Sequence, residues 1–189
     1  MFADDQPKIQ QYAWESPEHM ADTLLFVRLT IRRHLYLVPK MMREVKAYGI
    51  VAIPDRASQL CYTYIRKEAA YIAEAHWDNN ELFRHILRMP GFGIPKAGFA
   101  LQLLLGIGGC LDVHNLSRFG LKASAFRIDA PWHTVERRIH LYQTICNGIG
   151  DSEYFWDSWC QYVATSQPLR YNGADEVSKL HVEAIIGSS

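Results

Sequence analysis

Six consecutive residues, Pro90-Gly91-Phe92-Gly93-Ile94-Pro95, constrain the fold of this chain more than any others. Proline cannot donate a backbone hydrogen bond, and glycine occupies backbone angles that other residues avoid, so no regular element runs through such a segment. The flanks are apolar and helical in pattern, Ile86-Leu87 on one side and the run from Ala97 to Leu105 on the other. Residues 81–105 therefore predict a helix ending at Pro90, a tight turn, and a second helix beginning near Ile94-Pro95. Gly91 and Gly93 are expected to supply positive φ or a close backbone approach. Pro95 suits the first turn of the new helix, where its missing N–H costs nothing. The free N–H groups of that helix start, backed by the helix dipole, form an anion site, and Lys96 adds a positive charge beside it. A DNA phosphate would suit this site.

The rest of the chain also reads as helix. Ser16 is placed to cap a helix with Pro17 in its first turn, and apolar residues from Leu24 to Leu37 carry that helix toward Pro39. A short basic helix over 41–48 stops at Gly49. Asp55 is expected to cap the next, with Leu60, Tyr64 and Ala75 on its apolar face and Arg66, Lys67, Glu68 and Glu74 in water. Asp78-Asn79-Asn80 ends that helix or caps the following one, over 81–88, and further helices are expected over 134–146, 152–164 and 175–186. Residues 1–16 are polar and aperiodic and read as an arm, which leaves 17–189 as a single helical domain. Short stretches such as 49–53 are ambiguous with strand. The expected class is all-α, with eight to ten helices.

Composition narrows the function classes. The longest apolar run, 97–110, is interrupted by Gln102 and by glycines, so no bilayer span is expected. The N-terminus is acidic and lacks the basic-then-apolar order of a secretory signal, which reads as a soluble cytoplasmic protein. Cys61, Cys110, Cys146 and Cys160 form no CxxC pair, so buried thiols are expected rather than disulfides, an iron–sulfur cluster or zinc. The formal net charge is zero, yet residues 84–140 carry eight Lys and Arg against three acids. A local basic face of that kind attracts phosphate even on a neutral protein, scattered solvated charges being the alternative.

Met89-Pro-Gly-Phe-Gly-Ile-Pro-Lys-Ala97, followed by Cys110-Leu-Asp-Val-His114 and Asn115-Leu-Ser-Arg-Phe-Gly120, resembles the helix-hairpin-helix DNA glycosylase superfamily, of the endonuclease III kind. The resemblance covers about 35 residues well. It implies a glycosylase-like helical domain, DNA as the partner, no membrane role, and action on a base flipped out of the duplex. It places Gly91, Phe92, Gly93, Lys96, His114 and Arg118 at the DNA. It implies a monovalent cation at the hairpin carbonyls and no other cofactor or metal. It makes Asp112 the catalytic carboxylate, able to stabilise positive charge on a deoxyribose whose base is leaving, or to deprotonate an attacking water or amine. Read from the residues alone, Asp112 caps a helix opening at Val113 or His114, and the two roles are compatible. Lys96 is the second catalytic candidate, with one departure from the pattern. The family's lysine stands two residues after the second hairpin glycine, where this chain has Pro95. A one-residue shift on a helix turns a side chain by roughly 100°, so base removal without strand cleavage is expected. His114 has backbone and phosphate readings, and Arg118 and Arg127 each have DNA-contact and ion-pair readings.

In the C-terminal third, Trp156, Trp159 and Val163 share a helix face. Core packing is the plain reading. Base-handling enzymes also stack flipped bases on aromatic rings, which makes Trp156, Asp157 and Trp159 base-pocket candidates. Ser178-Lys-Leu-His181 is a polar group without an assigned chemistry. The expected activity is glycosidic-bond hydrolysis. One alternative is similar to glycosylase-related bacteriophage proteins that join an amino acid or amine to an activated 5-hydroxymethyluracil, in a bacterial or phage-infected cell. Another is a non-catalytic DNA-binding module.

Overall fold

A computed structural model describes residues 5–31, 34–111, 115–116, 119–167 and 169–187. Nine α-helices and no strand are found among them: α1 (Asp5–Glu15), α2 (Pro17–Leu29), α3 (Val38–Tyr48), α4 (Arg56–Glu74), α5 (Asn79–Leu87), α6 (Ile94–Leu105), α7 (Trp132–Ile149), α8 (Ser152–Ser166) and α9 (Ala174–Ile186). The protein is all-α, and no described helix is long and apolar enough to cross a membrane.

Local chemistry sets many boundaries. Ser16 accepts the His19 N–H at 3.1 Å, with Pro17 in the first turn of α2. Asp55 accepts the Ser58 N–H at 2.7 Å at the head of α4, and Asp151 accepts that of Tyr154 at 2.8 Å at the head of α8. Asp78 and Glu81 form a reciprocal capping box that opens α5. Gly49, at φ 75°, ends α3.

Three expectations are corrected. Residues 5–15 are a helix, not part of an arm: Gln6, Ile9 and Ala13 recur at helical spacing and are buried. Glutamine and alanine carry little apolar signal, so that stripe is faint in the sequence. Gln6 donates to Ser152 Oγ at 2.6 Å, and Trp14 donates its indole N–H to the Leu104 carbonyl at 2.7 Å. Next, α2 does not reach Pro39. The Thr30 hydroxyl turns back onto the Val27 carbonyl at 2.7 Å and its N–H is shared between Phe26 and Val27, which tightens and ends the helix. Leu35–Leu37 is a separate 3₁₀ turn, as is Gly49–Ala52, the stretch ambiguous with strand. Finally, α4 buries Cys61, Tyr62, Ile65, Ala69 and Ile72, while Leu60 and Tyr64 are exposed. Neighbouring helices choose among the apolar stripes, and the α2 contact falls on the first set.

The core forms around α2 and α6, which are apolar nearly all round and are sheathed by the other helices. Gln102, the polar residue within α6, is fully buried and donates to the Ser152 carbonyl at 2.9 Å, tying α6 to the start of α8. All four cysteines are buried free thiols. Phe26, Phe99, Trp159 and His181 meet edge to face at the centre.

His181 gives the fold a pH dependence. It is fully buried, with Nδ1 2.7 Å from the Val177 carbonyl and Nε2 3.3 Å from that of Leu35. Burial lowers its pKa to about 4, against the upward pull of both carbonyls. Above pH 6.5 the ring is neutral in both folded and unfolded chains, and stability is complete. Between pH 6.5 and about 4 the unfolded chain gains a proton that the native state excludes, so stability falls with pH by roughly 3 kcal/mol. Urea titrations across this window are expected to show that loss, and His181→Leu to flatten it.

Candidate nucleic-acid interface and base cleft

The turn between α5 and α6 is built from short-range backbone bonds. Met89 N–H donates to Ile86 at 3.0 Å, Phe92 N–H to Met89 at 3.1 Å, and the N–H groups of Lys96 and Ala97 both donate to Gly93 at 3.0 and 2.9 Å. Gly91 takes φ 85°, and a side chain there would also strike Arg28, whose Nε lies 2.7 Å from where a Cβ would stand. Gly93 differs from expectation: it is the extended N-cap of α6 at φ −107°, with open space around it. The N–H groups of Gly91, Gly93 and Ile94 find no acceptor among the described residues. The Gly93 and Ile94 donors lie at the N-terminus of α6, the positive end of the helix dipole, where anions are favoured.

Two cations flank this turn, and only one was legible in the motif. Lys96 donates to Thr30 Oγ1 at 2.9 Å and lies 5.4 Å from the Phe99 ring centre, so its amine crosses to the end of α2. Arg28, in the last turn of α2, packs under Gly91. Sequence reasoning missed it because it is over sixty residues away. Phe92 is corrected: it is only 2% exposed, so its ring anchors the turn in the core and is not a DNA contact. The Pro90 carbonyl accepts the Cys61 thiol, the Met89 carbonyl accepts Phe92 N–H, and the Arg28 guanidinium places a fixed positive charge under Gly91.

Asp112, His114 and Arg118 lie outside the described residues. After α6 ends at Gly106 (φ 68°), the chain passes Gly109, packed flat against Phe155, to Leu111. The Leu111 N–H donates to Tyr142 Oη at 3.1 Å, and Tyr142 Oη donates in turn to the Gly109 carbonyl. On the far side, Asn115 Nδ2 donates to the Cys110 carbonyl at 2.7 Å. The chain is thus bonded on both sides of residues 112–114. Burial pushes the Tyr142 hydroxyl pKa well above its ordinary value, so it acts as a neutral donor and acceptor. Tyr142→Phe is expected to remove one partner each from the Leu111 N–H and the Gly109 carbonyl, which keep the bond to each other at 3.2 Å. The cost is about 1 kcal/mol, read as a lowered denaturation midpoint.

The same loop borders a cleft of about 440 Å³ between α5, α6 and α7. Ile107 and Gly108 form one wall, and Asn80, His140, Gln143 and Asn147 supply polar groups. Gln143 Nε2 donates to Asn80 Oδ1 at 3.0 Å, joining α7 to the head of α5. The sequence signal for this site is a polar stripe at 140, 143, 144 and 147, helical spacing on α7.

The aromatic base-pocket candidates lie elsewhere. Trp156 and Trp159 are 0% and 1% exposed. They pack 5.4 Å apart in the core, with Trp156 Nε1 donating to Ser178 Oγ at 2.8 Å. Neither they nor Asp157 line the cleft, and rings so enclosed cannot receive a flipped base. The Asp157 carboxyl is raised from its ordinary pKa by burial, then by Glu153. Arg127 takes its ion-pair reading, with Nε 3.0 Å from Asp129. No group of three or more metal-ligating side chains occurs among the described residues. No family model, curated protein or solved structure matches the chain.

Proposed function

We propose that this chain is a DNA-base enzyme of the helix-hairpin-helix glycosylase kind, hydrolysing a glycosidic bond without cutting the strand. The observation that carries the reading is a juxtaposition. The chain leaving the C-terminal end of α6, the helix whose N-terminus carries the donors, forms a wall of the 440 Å³ cleft, and Asp112 follows that wall in the sequence. In this reading the N–H groups of Gly91 and Gly93 hold a phosphate, with Arg28 beneath adding positive charge. The flipped nucleotide enters the cleft. The C1′–N bond breaks with its electron pair leaving on the base, and the Asp112 carboxylate stabilises the cationic sugar. Water adds at C1′, giving its proton to Asp112, while the departing base takes up a proton from solvent. The absence of a lyase step is supported by Lys96, whose amine is engaged by Thr30 Oγ1 rather than held free for a Schiff base.

The test is mass spectrometry of duplexes carrying uracil, 5-hydroxymethyluracil, its phosphorylated form or damaged bases, with and without candidate amines. A released free base with an intact strand supports the reading. A heavier nucleoside would replace it with base modification, and DNA binding without product would replace it with a non-catalytic module.

A further inference from the structure

Between the end of α4 and α5 lies a second depression, of about 430 Å³, sharing no lining residue with the cleft. It is aromatic: the Trp77 and His85 ring centres are 4.8 Å apart, and Tyr71 stands 5.4 Å from each. Tyr71 is 55% exposed. Trp77 is fixed by its N–H to the Ile72 carbonyl at 3.0 Å, and His85 Nε2 lies 3.1 Å from a Glu68 carboxylate oxygen. Two arginines border the same depression, Arg84 in the last turn of α5 and Arg88 at its C-cap, four residues on. Glu81 also borders it; one of its carboxylate oxygens accepts the Asp78 N–H at 3.3 Å in the capping box, and its negative charge remains. Arg84 meets Glu136 at 3.5 Å in a solvent-exposed pair, which holds it weakly. Arg88 immediately precedes the hairpin, and its guanidinium lies 5.9 Å from the exposed ring of Trp132.

We propose that this trough binds an unpaired nucleotide of the same DNA whose phosphate sits on the hairpin, with the base against Trp77 and Tyr71 and the phosphate on Arg88 and Arg84. The inference rests on the DNA reading above. Aromatic faces accept any base by stacking, and guanidinium groups match phosphate oxygens with paired donors. One helical turn, a rise of about 6 Å, separates the two arginines, comparable with the step between neighbouring phosphates on an extended strand. Arg88 stands two residues before Pro90 in the sequence, at the entry to the turn that carries the hairpin donors. The two arginines outnumber the one acid of the lining, Glu81, which favours an anionic ligand over a cationic one. The preferred substrate therefore carries a gap, bubble or overhang beside the processed base. A free nucleotide presents the same chemistry and is a separate arm of the test.

Fluorescence anisotropy would compare a blunt duplex with the same duplex carrying a short single-stranded gap. The parent protein is expected to bind the gapped DNA about ten-fold more tightly, the size of one stacked base. Trp77→Leu and Tyr71→Ala are each expected to erase that preference and keep the blunt-duplex affinity. Arg88→Gln is expected to weaken gapped binding and flatten its salt dependence. If Trp77→Leu fails to fold, Tyr71→Ala at its exposed position carries the test. Equal parental affinity for the two DNAs, or a preference that survives Tyr71→Ala, overturns the trough proposal and leaves the hairpin reading intact. Loss of all DNA binding by the parent overturns both. Thymidine 5′-monophosphate is titrated alone by tryptophan quenching. Quenching that disappears in Tyr71→Ala and is not competed by gapped DNA would make the ligand a free nucleotide, overturning the strand assignment.

Discussion

Asp112→Asn is expected to bind DNA as the parent does and to release base about 10²–10⁴-fold more slowly, the range for a positioned acid–base group. The substitution keeps the shape and hydrogen-bonding size of the side chain, so a capping role would largely survive it. It removes the negative charge, which is what a developing sugar cation or an attacking water requires. The bonds on either side, Leu111 N–H to Tyr142 and Asn115 to the Cys110 carbonyl, involve neighbours and not residue 112. The folded scaffold is therefore expected to persist, and single-turnover rates would report the chemistry alone. Retained activity in Asp112→Asn would remove the carboxylate from the mechanism and move the catalytic role to another group at the cleft.

The second large effect is structural. Gly109→Ala is expected to lower stability by about 3 kcal/mol or more, the upper end for overpacking a close-packed core. A Cβ at Gly109 would stand 2.0 Å from the Phe155 ring, which is fully buried and has no room to retreat. Gly98→Ala meets the same obstacle at 2.4 Å from Tyr142, the residue that bonds the loop before Asp112. For a chain of 189 residues, a loss of about 3 kcal/mol corresponds to a Tm lowered by roughly 6–12 °C. Gly148→Ala is the control: nothing lies within 4 Å of its added methyl, and it sits within α7, so an unchanged or slightly raised Tm is expected. Equal melting of all three variants would show that the loop is not packed as described.

On the proposed reading, these effects tie activity to the fold through one side chain. Tyr142 touches the loop to Asp112, lines the cleft and fills the space that Gly98 leaves open. A change at any of the three is expected to disturb the other two, so stability and base release would fall together in Gly98→Ala but separate in Asp112→Asn.

Much of the local architecture was legible in the chain itself. Ser16, Asp55 and Asp78 cap helices through atoms within three residues, and the turn at Gly91 needs a positive φ that glycine supplies without strain. The hairpin, its free N–H groups and the all-helical class follow from such short-range chemistry. Long-range choices followed another logic. Leu60 and Tyr64 are as apolar as Tyr62 and Ile65, and only the docking of α2 against α4 decides which pair is buried. Trp156 and Trp159 show the same ambiguity, since a shared helix face is apolar whether a base or Phe26 lies opposite. Arg28 beneath Gly91, Lys96 turned to Thr30, and Asn80 bonded to Gln143 join residues more than sixty positions apart. The sequence alone determined where helices begin, end and offer backbone donors, because those energies lie within one or two turns. Tertiary structure alone decided which faces are buried, which cations flank the hairpin and where the cleft opens, because each depends on distant surfaces competing to exclude water.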